Sequence, residues 1–210
     1  MTTSNDVSFE DIAIERRRLA DLLEGLSSTQ WEAESSCSGW TVRHVVAHLV
    51  AGPVNSFASM AGAIARAGGS YHKANDAIAK KLGAQTPHHL TQLLRDHANS
   101  AFAPPLLGAA APMADIVIHG QDICRPLQLE LHVADAAVLT ALDGAVSKKF
   151  AMTSNYRNIE PRRYRANDLD WQWGNKGRIV DGSAMDLACY LWGREVPIID
   201  IDDTSGSTAA

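Results

Sequence analysis

No stretch of the 210-residue chain approaches the ~18 to 20 uninterrupted apolar residues that cross a bilayer, so no transmembrane helix and no membrane partner are expected. The segment Met1 to Glu10 is polar and acidic and lacks the apolar region of a signal peptide, which gives the expectation of a cytoplasmic protein. Cysteine is scarce: Cys37, Cys124 and Cys189 are odd in number and widely spaced, forming neither a CxxC motif nor a disulfide framework. Reduced thiols are the expectation. Basic charge is also in deficit, with 19 Lys and Arg against 24 Asp and Glu for a net charge of −5. Nucleic-acid phosphates need a basic footprint, so a nucleic-acid partner is not expected. Internal repeats are absent. What remains is ordinary globular material, 46% hydrophobic and 20% charged, long enough for a large domain with a small companion.

Hydrophobic periodicity organises the first two thirds. Ser8 with Asp11 three residues later forms a shortened capping box ahead of Phe9, Ile12, Leu19, Leu22, Leu23 and Leu26, with Glu15 to Arg18 on a wet face. A second helix is expected from about Thr41, burying Val42, Val45, Val46 and Leu49. Gly68, Gly69 and Ser70 break the pattern, and a polar stretch follows to about Gln85. Thr86 and Pro87 open a third helix that Pro104 and Pro105 are expected to end. Pro112 opens a fourth, stopped by Arg125-Pro126, and a fifth runs from Ala134 to Phe150. Beyond it, Trp171, Trp173 and Arg178-Ile179-Val180 suggest short antiparallel strands, with Asp181-Gly182 as a turn. Ser183 caps a last helix that Gly193 closes. The expected fold is mainly α: an up-down four-helix bundle over residues 1–150, a small α+β domain over 151–202 and a disordered tail over 203–210.

Two of these helices carry metal-type ligands. Asp115 and His119 stand at i and i+4, placing a carboxylate and an imidazole on one face a turn apart, with Asp122 further along that flank. His48 lies beside the Val45/Leu49 stripe, where Ala47, Ala51 and Gly52 leave room around it. Facing bundle helices could present His48, Asp115 and His119 to one interior point, and three protein ligands with an open fourth position describe a catalytic zinc site. From spacing alone a DxxxH pair is a common accident, and a lone histidine beside an apolar face is more often a hydrogen-bonded structural residue than a ligand. His44 ranks second as a ligand, since it points further from the buried stripe. Asp122 is the candidate catalytic side chain, orienting an imidazole or acting as a general base, against a plain reading as a solvated surface acid. His72, His88, His89, His97 and His132 have no partner at ligand spacing.

The run Cys37-Ser38-Gly39-Trp40-Thr41-Val42-Arg43-His44-Val45-Val46-Ala47-His48-Leu49, with Asp115 to Asp122, resembles the two signature helices of the mycothiol-dependent maleylpyruvate isomerase family in the DinB-like superfamily. Asn167 to Trp171, Gly182 and Leu191-Trp192-Gly193-Arg194 are similar to that family's small C-terminal domain. The resemblance implies a divalent metal, usually zinc, held by His48, Asp115 and His119. It also implies mycothiol, a low-molecular-weight thiol, as a cofactor that the metal holds as thiolate for attack on a small electrophile, by isomerisation or by S-transfer. The family pattern has Glu where this chain has Asp115, one methylene shorter.

Cys37, just before a helix start, could act as a fourth ligand or a nucleophile, although the structural reading is preferred; Cys124 and Cys189 fit the core. Arg157, Arg162, Arg163 and Arg165 form the one local basic cluster. Arg163 in that cluster, and Arg194 in the closing motif, are candidate contacts for an anionic substrate or the cofactor's carboxylate. The alternatives are a solvated strand face for the cluster and a helix-end carbonyl cap for Arg194. The leading expectation is therefore a metal-dependent, thiol-using isomerase or S-transferase, monomeric or homodimeric. A non-catalytic ligand-binding module and a metal-assisted hydrolase are the rivals.

Overall fold

The computed structural model describes residues 7–104, 106–151 and 154–201; the tail expected over 203–210 and Pro105 lie outside them. The chain divides into two compact units, one spanning Val7–Val133 and the other running from Ala134 onward. The first contains helices α1 (Phe9–Glu24), α2 (Ser28–Glu32), α3 (Val42–Val54), α4 (Phe57–Arg66), α5 (Tyr71–Leu82), α6 (Pro87–Asp96) and α7 (Ala110–Cys124). No helix among the described residues is long and apolar enough to cross a membrane.

Four helices close a ring: α1 packs on α6 and α7, and α3 packs on the same two. Ile12, Leu19 and Leu23 from α1, Val42, Val45, Val46 and Val50 from α3, Leu90 and Leu94 from α6, and Met113, Val117 and Ile123 from α7 fill the interior. This is the four-helix bundle that the apolar spacing implies. The capping chemistry also holds, since Ser8 and Asp11 make a reciprocal box at α1 and Thr86 accepts from the His89 amide at α6.

Several local expectations need correction. Glu15 and Arg16 are buried rather than wet, because the Arg16 guanidinium donates at 2.9 Å to the carbonyls of Ala98 and Ser100, satisfying backbone acceptors beyond α6. The polar stretch after Gly69 is helix α5: Ser70 caps it, and its stripe of Ala74, Ile78, Ala79 and Leu82 is too thin in apolar volume to stand out as a period. α6 stops at Asp96, with His97 as its cap, before Pro104 is reached. The short α2 goes unforeseen although Ser27 and Gln30 form a capping box.

The second unit holds α8 (Asp135–Ala145), a 3-10 turn at Lys148–Phe150, strands β1 (Arg163–Ala166), β2 (Gln172–Trp173), β3 (Ile179–Gly182) and β4 (Ile199–Ile201), and α9 (Ala184–Leu191). The division between units falls before α8 because α8 packs on α9, and Trp171 and Trp192 donate their indole N–H groups to Asp143 and to the Ala141 carbonyl. The sheet order is β2-β1-β3-β4. Its central pair, β1 with β3, is parallel, so the expectation of purely antiparallel strands fails there. Asp181-Gly182 is strand rather than turn, for Asp181 lies in register with Arg165 and accepts from both Arg165 and Asn167.

Candidate metal centre

Thr41 precedes helix α3 as its N-cap, and His44 occupies the third helical position. The His44 Nδ1 reaches back to accept from the Thr41 amide at 3.2 Å, the role a Glu plays in a capping box. The second-ranked ligand is thus engaged at the helix start. One turn on, His48 faces α7, where Asp115 and His119 lie a turn apart.

These three side chains converge. One ligand atom from each of His48, Asp115 and His119 falls within 4.8 Å of the others. His48 Nε2 stands 3.7 Å from Asp115 Oδ2, and the two imidazole rings meet edge to face with centroids 4.8 Å apart. Ligand atoms around a tetrahedral ion with bonds of about 2.0 to 2.2 Å lie about 3.3 Å apart, so a small closure would seat one. The histidines are largely buried while the Asp115 side chain is 53% exposed, which leaves the cluster a solvent side. Two imidazoles and a carboxylate suit zinc or a similar divalent ion.

Asp122 sits behind His119. Its carboxylate is 1% exposed, and Oδ2 lies 2.8 Å from His119 Nδ1. With Nδ1 engaged, Nε2 is the nitrogen left for a cation, the usual division of labour for a ligating histidine. Burial opposes charge on His119, yet hydrogen bonds with Asp122 and Cys37 and the charges of Asp122 and Asp115 push its pKa from 6.5 up to about 10. The two carboxylates therefore favour the protonated form of His119 in the metal-free protein.

The surroundings include residues that helical spacing alone does not single out. Cys37 Sγ donates to Asp122 Oδ2 at 3.0 Å and lies 3.6 Å from His119 Nδ1. The Trp40 ring sits 5.4 Å from the His48 ring, and its indole N–H donates to Asp76 on α5. Tyr71 on α5 has its phenol pushed up by burial first and by the Asp115 charge second. Arg16 is pulled down by burial while the same Asp115 charge opposes that shift. Trp40 was visible within the motif before α3, whereas Tyr71 lay in the segment read as a polar break. The room expected at Gly52 is filled, for a Cβ there would meet the Phe102 ring at 2.9 Å.

The arginine cluster resolves differently. Arg165 binds Asp181, Arg162 binds Glu160 and Asp200, and Arg178 also binds Asp200. Arg163 opens β1 opposite Ile179. Arg194 donates to the Trp192 carbonyl at 2.8 Å, the helix-end role, and lines a cavity of about 210 Å³ with Tyr164, Tyr190 and Glu160. Arg163 is not among that cavity's lining residues.

Residues 12–103 match the family model of the mycothiol maleylpyruvate isomerase N-terminal domain. The match runs from α1 to beyond α6, takes in His48 and ends before α7. Two solved structures are similar over all of this chain and 98% of their own, each at 14% identity. One is a crystal structure of the mycothiol-dependent maleylpyruvate isomerase, with a TM-score of 0.59. The other is a histidine-to-alanine mutant of the mycothiol-dependent maleylpyruvate isomerase, with a TM-score of 0.61. Likeness at that identity speaks for the fold. No curated protein sequence matches the chain. The chain thus shares the fold of the mycothiol-dependent maleylpyruvate isomerase structures, and its residues 12–103 are similar to the mycothiol maleylpyruvate isomerase N-terminal domain.

Proposed function

We propose that the protein is a metal-dependent, thiol-using enzyme in which His48, Asp115 and His119 hold one divalent ion, zinc being the first candidate. The observation that carries this reading is the convergence of those three ligand atoms within 4.8 Å, with a solvent side at Asp115. Such an ion, when bound, favours the thiolate form of a thiol at an open position, and thiolate is the nucleophile.

The chain's own residues supply the rest. His48 and Asp115 fix the position of the charge, and Asp115 balances part of it. Asp122 is a positioning residue: it holds the proton of His119 at Nδ1 and so presents Nε2 to the cation. Its burial and its contacts with Cys37 and His119 weigh against a general-base role and hence against the hydrolase reading. Trp40 covers one side of His48 and Tyr71 stands within the field of Asp115, so both narrow the approach of an electrophile. Mycothiol is the proposed thiol, by analogy with the proteins of similar fold.

Incubating the metal-loaded protein with mycothiol and maleylpyruvate, or with an electrophilic bimane, tests this directly. Product formation that requires both metal and thiol is expected. Product formed without thiol would favour hydrolysis, and metal binding without turnover would favour a binding module.

A further inference from the structure

Cys37 is held against α7 by the backbone as well as by its sulfur. The Ser36 amide donates to the Asp122 carbonyl at 2.9 Å, and Ser35 Oγ donates to the Trp40 carbonyl at 2.8 Å and accepts from the Cys37 amide at 3.1 Å. Gly39, with φ +76°, permits the tight turn that brings the chain back to α3. The loop therefore fixes Sγ beside two groups that already face each other. Sγ, His119 Nδ1 and Asp122 Oδ2 form a triangle with sides of 3.0, 3.6 and 2.8 Å. All three are ligand-type atoms, and they come from two separate segments.

We infer that Cys37, His119 and Asp122 form a second cation site, selective for a thiophilic divalent ion, which shares His119 with the first cluster through the opposite ring nitrogen. Around a tetrahedral ion with a metal–sulfur bond of about 2.3 Å and a metal–nitrogen bond of about 2.0 Å, sulfur and nitrogen stand about 3.5 Å apart, close to the 3.6 Å that the loop already provides. The carboxylate oxygen, drawn in by hydrogen bonds, needs to withdraw by about 0.5 Å from both. A thiolate and a carboxylate together neutralise a divalent charge, and the sulfur sets the preference for soft ions.

The proton balance follows from the donors. In metal-free protein the Cys37 thiol donates to Asp122 Oδ2, and a proton on His119 Nδ1 faces the same oxygen. Each gives up its proton to solvent, the cation takes their place, and His119 keeps its proton at Nε2. A histidine bound this way has no lone pair at Nε2 for the first cluster. The two sites are therefore alternatives, and a soft ion in the inner one removes a ligand from the outer one.

Cadmium titration of the metal-free, reduced full chain tests the inference, followed by the thiolate-to-cadmium absorption in the ultraviolet. One cadmium per chain with that absorption is expected in the wild type and equally in His48→Ala, which lacks the outer cluster. Cys37→Ser and Cys37→Ala are expected to lose the absorption, with folding checked by circular dichroism; the buried Cys124 and Cys189 remain in both as an internal control. Absence of the band in the wild type, or its persistence in the Cys37 variants, would overturn the second site. Two cadmium ions bound at once per chain would overturn the sharing of His119.

Discussion

On β1 and β3, Arg165 and Asp181 stand in register and bind each other, and Arg162, Arg178, Glu160 and Asp200 pair off nearby. On α3 and α7, His48, Asp115 and His119 also converge from separate elements, but as ligand-type groups, two imidazoles and one carboxylate, rather than as guanidinium–carboxylate pairs. The first arrangement is complete as it stands: each positive group named has a negative partner, and little field is left over. The second is unbalanced, with the carboxylates of Asp115 and Asp122 flanking His119 and holding it charged. Clustered charge in a sequence therefore has two outcomes. Complementary charges become structure, whereas ligand-type groups brought together by the fold are what the proposed metal centre rests on.

Substitutions in the two regions should separate these outcomes. The largest effect is expected from His119→Ala, which removes a ligand and the imidazole that Asp122 supports. Metal-dependent turnover should fall by at least about a hundredfold, while Arg162→Ala should leave it near the wild-type rate. Steady-state kinetics under metal saturation reads the contrast, and equal losses in both variants would erase it. Asp122→Asn should keep all three ligands but loosen His119, weakening metal affinity by about tenfold to a hundredfold. Competition with a chromophoric chelator measures that change.

Much of this was legible in the sequence. Asp115 and His119 share a face because four residues make just over one turn, and His48 flanks a stripe that must be buried; helical geometry places both without further knowledge. Helix caps at Ser8, Thr86 and Ser183 are equally local, and each is present. The failures were non-local. Arg16 reads as a wet residue until carbonyls beyond α6 are brought to it. Asp181-Gly182 reads as a turn until Arg165 arrives from another strand. Tyr71 had no signal, since α5 buries mainly alanines, which add little to a hydrophobic period.

Acidity sharpens the contrast further. His119 has its pKa raised from 6.5 to about 10 in the metal-free protein, so its stabilising contribution is complete below about pH 6.5 and is lost as pH rises toward 10. Thermal unfolding of chelator-treated protein should accordingly drop between those values, and Asp122→Asn should flatten the drop. At pH 8 metal uptake should also release a proton from His119, seen as a dependence of binding heat on the buffer's ionisation enthalpy. The smallest effect belongs to the balanced region. Arg165→Ala leaves the largely buried Asp181 with Asn167 alone and should cost about 1 to 2 kcal/mol of stability in denaturant titration, with metal content unchanged.

The most direct measurement is the metal content of protein purified without chelator, wild type beside His48→Ala. About one divalent ion per chain in the wild type and almost none in the variant is the predicted result. An equal content in the two, or none in either even after incubation with zinc, would contradict a shared centre at His48, Asp115 and His119.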